Sequence, residues 1–178
     1  MYYYINNLDI ENIKKFPKNV SLILRNYQNK PNVKKILLIK KECKKNNIKF
    51  YLSNNIKLAI KYNLDGAYIP SFNKNFNHNC FSIKKNFKIL GSAHSLKEIR
   101  IKEIQKVEKI FISPIFKTTK NKKSLEIFNF LKFDKLTNNK TVCLGGINEK
   151  NIKKLNNLKI KDFAGISFFE KKYLRNEK

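Results

Sequence analysis

Eight short apolar runs, with helical stripes between them, predict a compact (β/α)8 barrel spanning residues 1–178 as one domain. Most of the runs are continuously apolar rather than alternating. That is the pattern of parallel strands covered on both faces. Apolar residues in the intervening segments recur at i, i+3 and i+4, as on the inner face of a helix. At 178 residues the chain is shorter than the ~200 residues at the lower end of such barrels. The shortage falls after the fourth strand, where the helix is reduced, and at the last helix, which is truncated.

The elements follow in order. Tyr2–Ile5 and Val20–Leu24 read as the first two strands, and Val33, Ile36 and Leu37 stripe a helix that runs to Lys44-Lys45-Asn46-Asn47. Ile48–Leu52 is the third strand, with Ile56, Ala59 and Ile60 on the helix after it. Gly66–Ile69 is the fourth, and residues 71–86 hold no clear helix. Lys88–Leu90 is the fifth; Ser95 and Glu98 then form a capping box, the serine accepting from a first-turn N–H while the glutamate reaches back. Lys109–Ile112 is the sixth strand, with Ile127, Phe130 and Leu131 on its helix. Thr141–Leu144 is the seventh, and Asn148 caps a helix carrying Ile152 and Leu155. Phe163–Ser167 is the eighth, followed by a helical stub over Glu170–Lys178.

Composition narrows the function classes. Hydrophobic residues make up 42% of the chain, enough for a packed core. No stretch approaches the ~18 apolar residues of a membrane span, and the N-terminal residues lack the basic-then-apolar pattern of a secretory signal. Cys43, Cys80 and Cys143 form no CxxC pair, which suits buried free thiols in a reducing cytoplasm. The net charge of +26 points at first toward nucleic acid. Only Arg25, Arg100 and Arg175 of the 39 basic residues are arginine, and the lysines are spread along the whole chain rather than gathered on one element. Lysine abundance together with Asn, Ile, Phe and Tyr is what A/T-rich codons produce, so no specific nucleic-acid partner is expected.

Barrels of this kind keep their chemistry at the C-terminal strand ends. The polar residues there are Arg25 after strand two, Ser53 and Asn54 after three, and Ser92 and His94 after five. Ser113–Thr119 follow six, Gly145-Gly146 follow seven, and Ser167 ends eight. An imidazole titrates near neutrality and suits acid–base work, but His94 would equally satisfy a backbone group at a helix start. Ser92 reads as a ligand or a turn former, and Gly145-Gly146 as a phosphate cradle or a simple turn. The run Lys117–Lys123 is either a ligand loop or a solvated one. His78, in an Asn-rich stretch, is expected at the surface. Asp65 precedes strand four at the opposite end, where stability rather than catalysis is expected.

Five stretches on these strand ends resemble one family. "LILRNY" at 22–27, "LDGAYIP" at 64–70, "ILGSAHSLKEI" at 89–99, "FISPIFKTTKNK" at 111–122 and "VCLGGINEKNIKKL" at 142–155 are similar, in order, to the motifs of the thiamine-phosphate synthase and thiazole tautomerase (TenI) family. The resemblance implies a transferase that joins an aminopyrimidine diphosphate to a thiazole phosphate and releases pyrophosphate. It makes Arg25, Ser92, Thr118, Thr119 and Lys120 or Lys122 ligands of the diphosphate. Gly145, Gly146 and Ser167 become the cradle of the thiazole phosphate. In tautomerase relatives a histidine at the position of His94 shuttles a proton on the thiazole. A thiazole-phosphate tautomerase and a non-catalytic phosphate-binding barrel therefore stand as alternatives.

The departures from the motifs are as specific. The family's strand-two lysine falls on Tyr27, and the strand-three aspartate that ligates Mg²⁺ falls on Asn54, leaving an amide as the substrate-facing group. The Gly-Gln-x-Asp motif is replaced by Pro70-Ser71-Phe72-Asn73. With both carboxylates gone, Mg²⁺ is expected to arrive with the diphosphate substrate rather than to reside in the protein. The implied partners are small phosphorylated molecules, with a homo-oligomer compatible and no membrane. Binding to duplex DNA should be weak, indifferent to sequence and abolished by moderate salt. Fluorescence anisotropy across a salt series checks this; submicromolar, salt-resistant binding would show that the basic composition had been misread.

Overall fold

Alternation along the strands divides the apolar residues between two cores, one inside a closed barrel and one between the barrel and its helices. The computed structural model describes residues 1–5, 10–25, 27, 32–118 and 123–174. Its strands are β1 (Tyr2–Ile5), β2 (Ser21–Leu24), β3 (Phe50–Ser53), β4 (Gly66–Ile69), β5 (Lys88–Ala93), β6 (Lys109–Ile112), β7 (Lys140–Leu144) and β8 (Phe163–Gly165). Each pairs in parallel with its neighbours in chain order, and β8 closes on β1 through Tyr2 opposite Ala164 and Tyr3 opposite Gly165. The expected (β/α)8 barrel is the observed one.

The interior holds Tyr2, Tyr4, Ile23, Tyr51, Tyr68, Leu90, Phe111, Val142 and Ala164. Phe111 lies at its centre, with its ring edge-on to Tyr2 at 4.8 Å and to Tyr68 at 5.4 Å between centroids. Such tilted contacts suit the ring quadrupoles. The alternate strand residues, among them Tyr3, Ile5, Leu22, Leu24, Phe50 and Leu52, face outward into the second core. Helices α1 (Val33–Lys45), α2 (Ile56–Lys61), α3 (Leu96–Ile104), α4 (Glu126–Lys135) and α5 (Ile152–Asn157) cover it.

Several elements differ in detail from the sequence reading. β5 runs on to Ala93, with Ser92 paired to Phe111, so Ser92 is a strand residue and not a loop residue. On α1 the buried stripe is Ile36, Ile39 and Cys43, while Leu37 is exposed. Asn148 does not cap α5: the N-cap is Asn151, without a side-chain capping bond, and Asn148 Oδ1 instead accepts from Lys150 N–H at 3.0 Å and Asn151 N–H at 3.1 Å in the turn before the helix. After β4 there is only a 3-10 turn, Asn77–Cys80. The C-terminal stub is a helical turn at Ser167–Phe169 continued by a π turn at Glu170–Leu174. His78 is buried rather than at the surface, its Nε2 donating to Gln105 C=O at 2.8 Å. At the N-terminal end of the barrel Asp65 accepts from Phe50 N–H at 2.9 Å, a structural bond as its position suggested.

Cys43 and Cys143 are buried, whereas Cys80 is exposed. Burial pushes both buried thiols up to about 12, so at pH 8 neither is a thiolate. A maleimide or disulfide reagent at that pH should therefore modify Cys80 alone in the folded chain and all three cysteines after denaturation. Mass spectrometry of the labelled peptides reads the outcome, and rapid labelling of Cys143 would contradict the packing of β7.

Candidate active site at the C-terminal mouth

A phenol inside a barrel keeps its hydrogen-bonding needs, and here they are met where the barrel opens. Tyr4 Oη donates to Tyr68 Oη at 2.9 Å, and Ser92, only 5% exposed, is hydrogen-bonded to Tyr68 in turn. Burial pushes both phenols well above their ordinary range, so they remain protonated. Arg25, half-buried at the end of β2, lies over this group, its guanidinium carbon 5.1 Å from the centre of the Tyr4 ring. Among the described residues no carboxylate pairs with it. A cation at the C-terminal end of β2 thus lies over the ring of a phenol that belongs to a buried hydroxyl network.

The rim is built around His94. Ser95 caps α3 by accepting from Glu98 N–H at 3.3 Å, as its spacing predicts. Glu98 reaches back one residue further than in an ordinary capping box, taking the backbone N–H of His94 at 2.6 Å. The ring is fixed from the other side: Nδ1 lies 2.7 Å from Ser113 C=O and 3.1 Å from Ser113 Oγ. A carbonyl can only accept, so Nδ1 carries a proton, and in the neutral form of this exposed ring the lone pair is on Nε2.

A third group forms the wall between the loops after β2, β3 and β4. Ser53 Oγ donates to Tyr27 Oη at 3.0 Å, and Tyr27 meets Phe72 edge to face at 5.2 Å. Asn73 Nδ2 donates to Asn54 Oδ1 at 2.7 Å, joining the two residues onto which the motif resemblance would place carboxylates. Behind this wall lies a residue that sequence reasoning missed. Lys102 of α3 is fully buried, and its ammonium donates to Pro70 C=O at 2.9 Å, Asn73 C=O at 2.8 Å and Gln105 Oε1 at 2.7 Å. Burial pushes it down to about 8, with the Glu98 carboxylate opposing, so it is still an ammonium at pH 7. One lysine among so many carries no signal of its own. The only hint lies in its spacing, three residues after buried Ile99 on the same helix face.

The loops after β6 and β7 are tied together. Ile115 N–H donates to Leu144 C=O at 2.9 Å and Phe116 N–H to Gly145 C=O at 3.1 Å. Gly146 has a φ of 69°, and a Cβ there would lie 2.6 Å from the carbonyl oxygens of Phe116 and Lys117. Close packing of the two loops thus requires this glycine whatever the loops bind. The pairing of Leu144 with Ala164 sets Gly145-Gly146 beside the end of β8, which stops at Gly165 and not at Ser167; Ser167 is exposed and opens the helical turn that follows. Thr118 lies half-buried after β6. Thr119, Lys120 and Lys122 lie outside the described residues.

Arg25, Asn54, Ser92, His94, Thr118, Gly145, Gly146 and Ser167 all belong to the C-terminal end of the barrel, and Asp65 to the other end. Within that end Arg25 and Ser92 share the Tyr4–Tyr68 floor, while His94 belongs to a separate rim system with Ser113. The donor set does not fit a resident Mg²⁺. Hard cations take carboxylate and carbonyl oxygens, and here the two relevant side chains are amides bonded to each other. Among the described residues no group of three His, Cys, Asp or Glu side chains could hold a metal. Nor is any described helix long and apolar enough to cross a membrane.

Comparison with known proteins agrees with this architecture. A family model described as thiamine monophosphate synthase matches residues 14–169. The thiamine-phosphate synthase of Prochlorococcus marinus is 34% identical over 128 residues, which are 70% of this chain and 37% of that protein. The match thus spans well under half of that relative's length. Among solved structures, a thiamine phosphate pyrophosphorylase from Pyrococcus furiosus superposes with a TM-score of 0.73 at 17% identity, covering 93% of this chain and 85% of the other. A citrate synthase superposes with a TM-score of 0.67 at 8% identity, covering 93% and 86%, a likeness of fold alone. Lys102→Met keeps the side-chain length but strands Gln105 Oε1 and takes one of two donors from Pro70 C=O and from Asn73 C=O, which keep Asn73 N–H and Gln105 Nε2. It should lower stability by roughly 1–3 kcal/mol, the scale for leaving a buried polar group unsatisfied. Urea unfolding at pH 7 measures this, and an unchanged midpoint would mean that the wall stands without the ammonium.

Proposed function

Because the chain belongs to the thiamine monophosphate synthase family, we propose that its mouth carries out a thiamine-phosphate synthase-like transfer between an aminopyrimidine diphosphate and a thiazole phosphate. The observation that carries this reading is the cation-over-hydroxyl arrangement of Arg25, Tyr4, Tyr68 and Ser92. In the transfer the thiazole nitrogen bonds to the methylene carbon of the pyrimidine. The bond from that carbon to the diphosphate oxygen breaks, and the electron pair leaves with pyrophosphate. No proton need move in that step. What the site must supply is stabilisation of growing negative charge on the leaving group.

Arg25 supplies it with a planar fork suited to phosphate oxygens. Ser92 supplies a hydroxyl donor once a ligand draws it from Tyr68, and Thr118, Thr119, Lys120 and Lys122 add donors from the β6 loop. Backbone N–H groups at Gly145, Gly146 and Ser167 hold the thiazole phosphate, as loops after strands seven and eight do in barrels of this class. Asn54 presents an amide to the substrate. The residues at Asn54 and Asn73 do not fit a resident metal, so these protein donors carry the charge stabilisation in the reading proposed.

A second reading, thiazole-phosphate isomerisation, is favoured by one observation: the fixed tautomer of His94 leaves Nε2 ready to take a proton. The two readings reverse the order of two variants. In the transfer, Ser92→Ala should cost on the order of 10²-fold in pyrophosphate release, as loss of one charge-stabilising donor does. His94→Ala should cost less. In the isomerisation, His94→Ala should cost ~10²–10⁴-fold and Ser92→Ala little. A pyrophosphate-release assay with both substrates, Mg²⁺ being supplied alongside the diphosphate, and a spectroscopic assay of thiazole isomerisation separate them. Wild-type protein that releases no pyrophosphate, while His94→Ala abolishes isomerisation, would replace the transfer with the isomerase.

A further inference from the structure

The oxygens of the wall between β3 and β4 are already taken. Asn75 N–H donates to Asn73 Oδ1 at 2.9 Å, and a backbone N–H can only donate, so that atom is the amide oxygen. The other end of the Asn73 amide is therefore the NH₂ that donates to Asn54 Oδ1 at 2.7 Å. The Asn73 carbonyl accepts from Lys102 Nζ at 2.8 Å and from Gln105 Nε2 at 3.0 Å. Lys102 also takes Pro70 C=O, and Gln105 Nε2 takes Asn75 C=O at 2.8 Å. Both side-chain oxygens of the asparagine pair and the backbone carbonyls behind it thus have N–H partners.

Each amide nitrogen of the pair carries two hydrogens, and the bond between the side chains uses one of the four. A cleft of about 300 Å³ beside it is lined by Asn54, Asn55, Lys57, Asn73, Asn75 and Phe81 among others, with no Asp or Glu in its lining. Hence the wall has donors on its surface, a lysine at its edge and a buried ammonium behind it.

We propose that this wall has exchanged the office of a resident divalent cation for that of a hydrogen-bond donor, with the Asn54–Asn73 amide clasp facing the anionic oxygens of a phosphorylated ligand directly. The Lys102 ammonium supplies fixed positive charge behind the clasp, where a metal would supply it in front. A divalent cation brought to the clasp would meet amide N–H groups and a like charge rather than carboxylate oxygens. This inference stands whether the mouth performs transfer or isomerisation, because it concerns what the free protein binds.

The test is metal uptake by the ligand-free protein. Mn²⁺, whose paramagnetic resonance signal separates free from bound ion, is titrated into wild-type protein and, independently, followed by calorimetry. Wild type should show no saturable uptake up to ~1 mM Mn²⁺. The Asn54→Asp/Asn73→Asp double variant sets two carboxylates where the clasp was. It should take up one Mn²⁺ per chain at least roughly 10-fold more tightly, and its melting midpoint should rise with Mn²⁺ while that of wild type does not. Should the double variant fail to fold, the wild-type titration decides alone. One Mn²⁺ bound per wild-type chain in the micromolar range, and lost in Asn54→Ala, overturns the proposal. Loss of transferase activity would leave it untouched.

Discussion

The filling of the barrel interior with phenols is the constraint from which the mouth follows. Strands of three to six residues leave a small interior, and Tyr2, Tyr4, Tyr51, Tyr68 and Phe111 occupy most of it. A ring buries a large apolar area there, but a phenol oxygen cut off from water without a partner is unfavourable by several kcal/mol. The barrel resolves this at its two ends. Toward the N-terminal end Tyr2 meets Lys109, which is itself paired with Asp162. Toward the C-terminal end Tyr4 and Tyr68 bond to each other and to Ser92. The side chains that fill the core therefore also floor the site, and Ser92 is buried because it completes their network.

The missing fourth helix sets a second problem. A segment without helix or strand leaves its carbonyls unpaired, and these must find donors elsewhere. Here α3 supplies them from side chains: Lys102 to Pro70 and Asn73, and Gln105 to Asn73 and Asn75. His78 returns the contact by donating to the Gln105 carbonyl. The segment after β4 is thereby stitched to the helix that begins at the His94 turn. Glu98 sits at the junction, holding the His94 backbone and raising the pKa of Lys102 against its burial.

These two solutions explain what could be read from the sequence and what could not. The strands were legible because a parallel strand covered on both faces must be apolar along its length, as in Gly66–Ile69 and Lys109–Ile112, whose observed bounds match. Ser95 was legible because a helix N-terminus leaves N–H groups for short polar side chains to accept from, whereas Asn148 proved to hold the turn before α5 and not its N-cap. Lys102 was not, since its burial depends on acceptors contributed some thirty residues earlier in the chain. His78 was misread for the same reason: its partner is a backbone carbonyl on another element, and local composition is silent about that. Ser92 was placed in a loop because Gly91 and Ser92 are weak strand formers, yet pairing with β6 extends β5 through both.

The site itself is two hydrogen-bond systems rather than one. Arg25, Tyr4, Tyr68 and Ser92 make the floor, and His94, Ser113 and Glu98 make the rim. Among the described residues no hydrogen bond joins the side chains of the two systems. Ser92 and His94 are nonetheless two residues apart at the end of β5, and Ser113 N–H bonds the Ala93 carbonyl between them, so the two systems adjoin and substitutions in them are expected to couple. In the readings proposed, charge stabilisation belongs to the floor and proton transfer to the rim, so each draws on its own hydrogen bonds although the two adjoin.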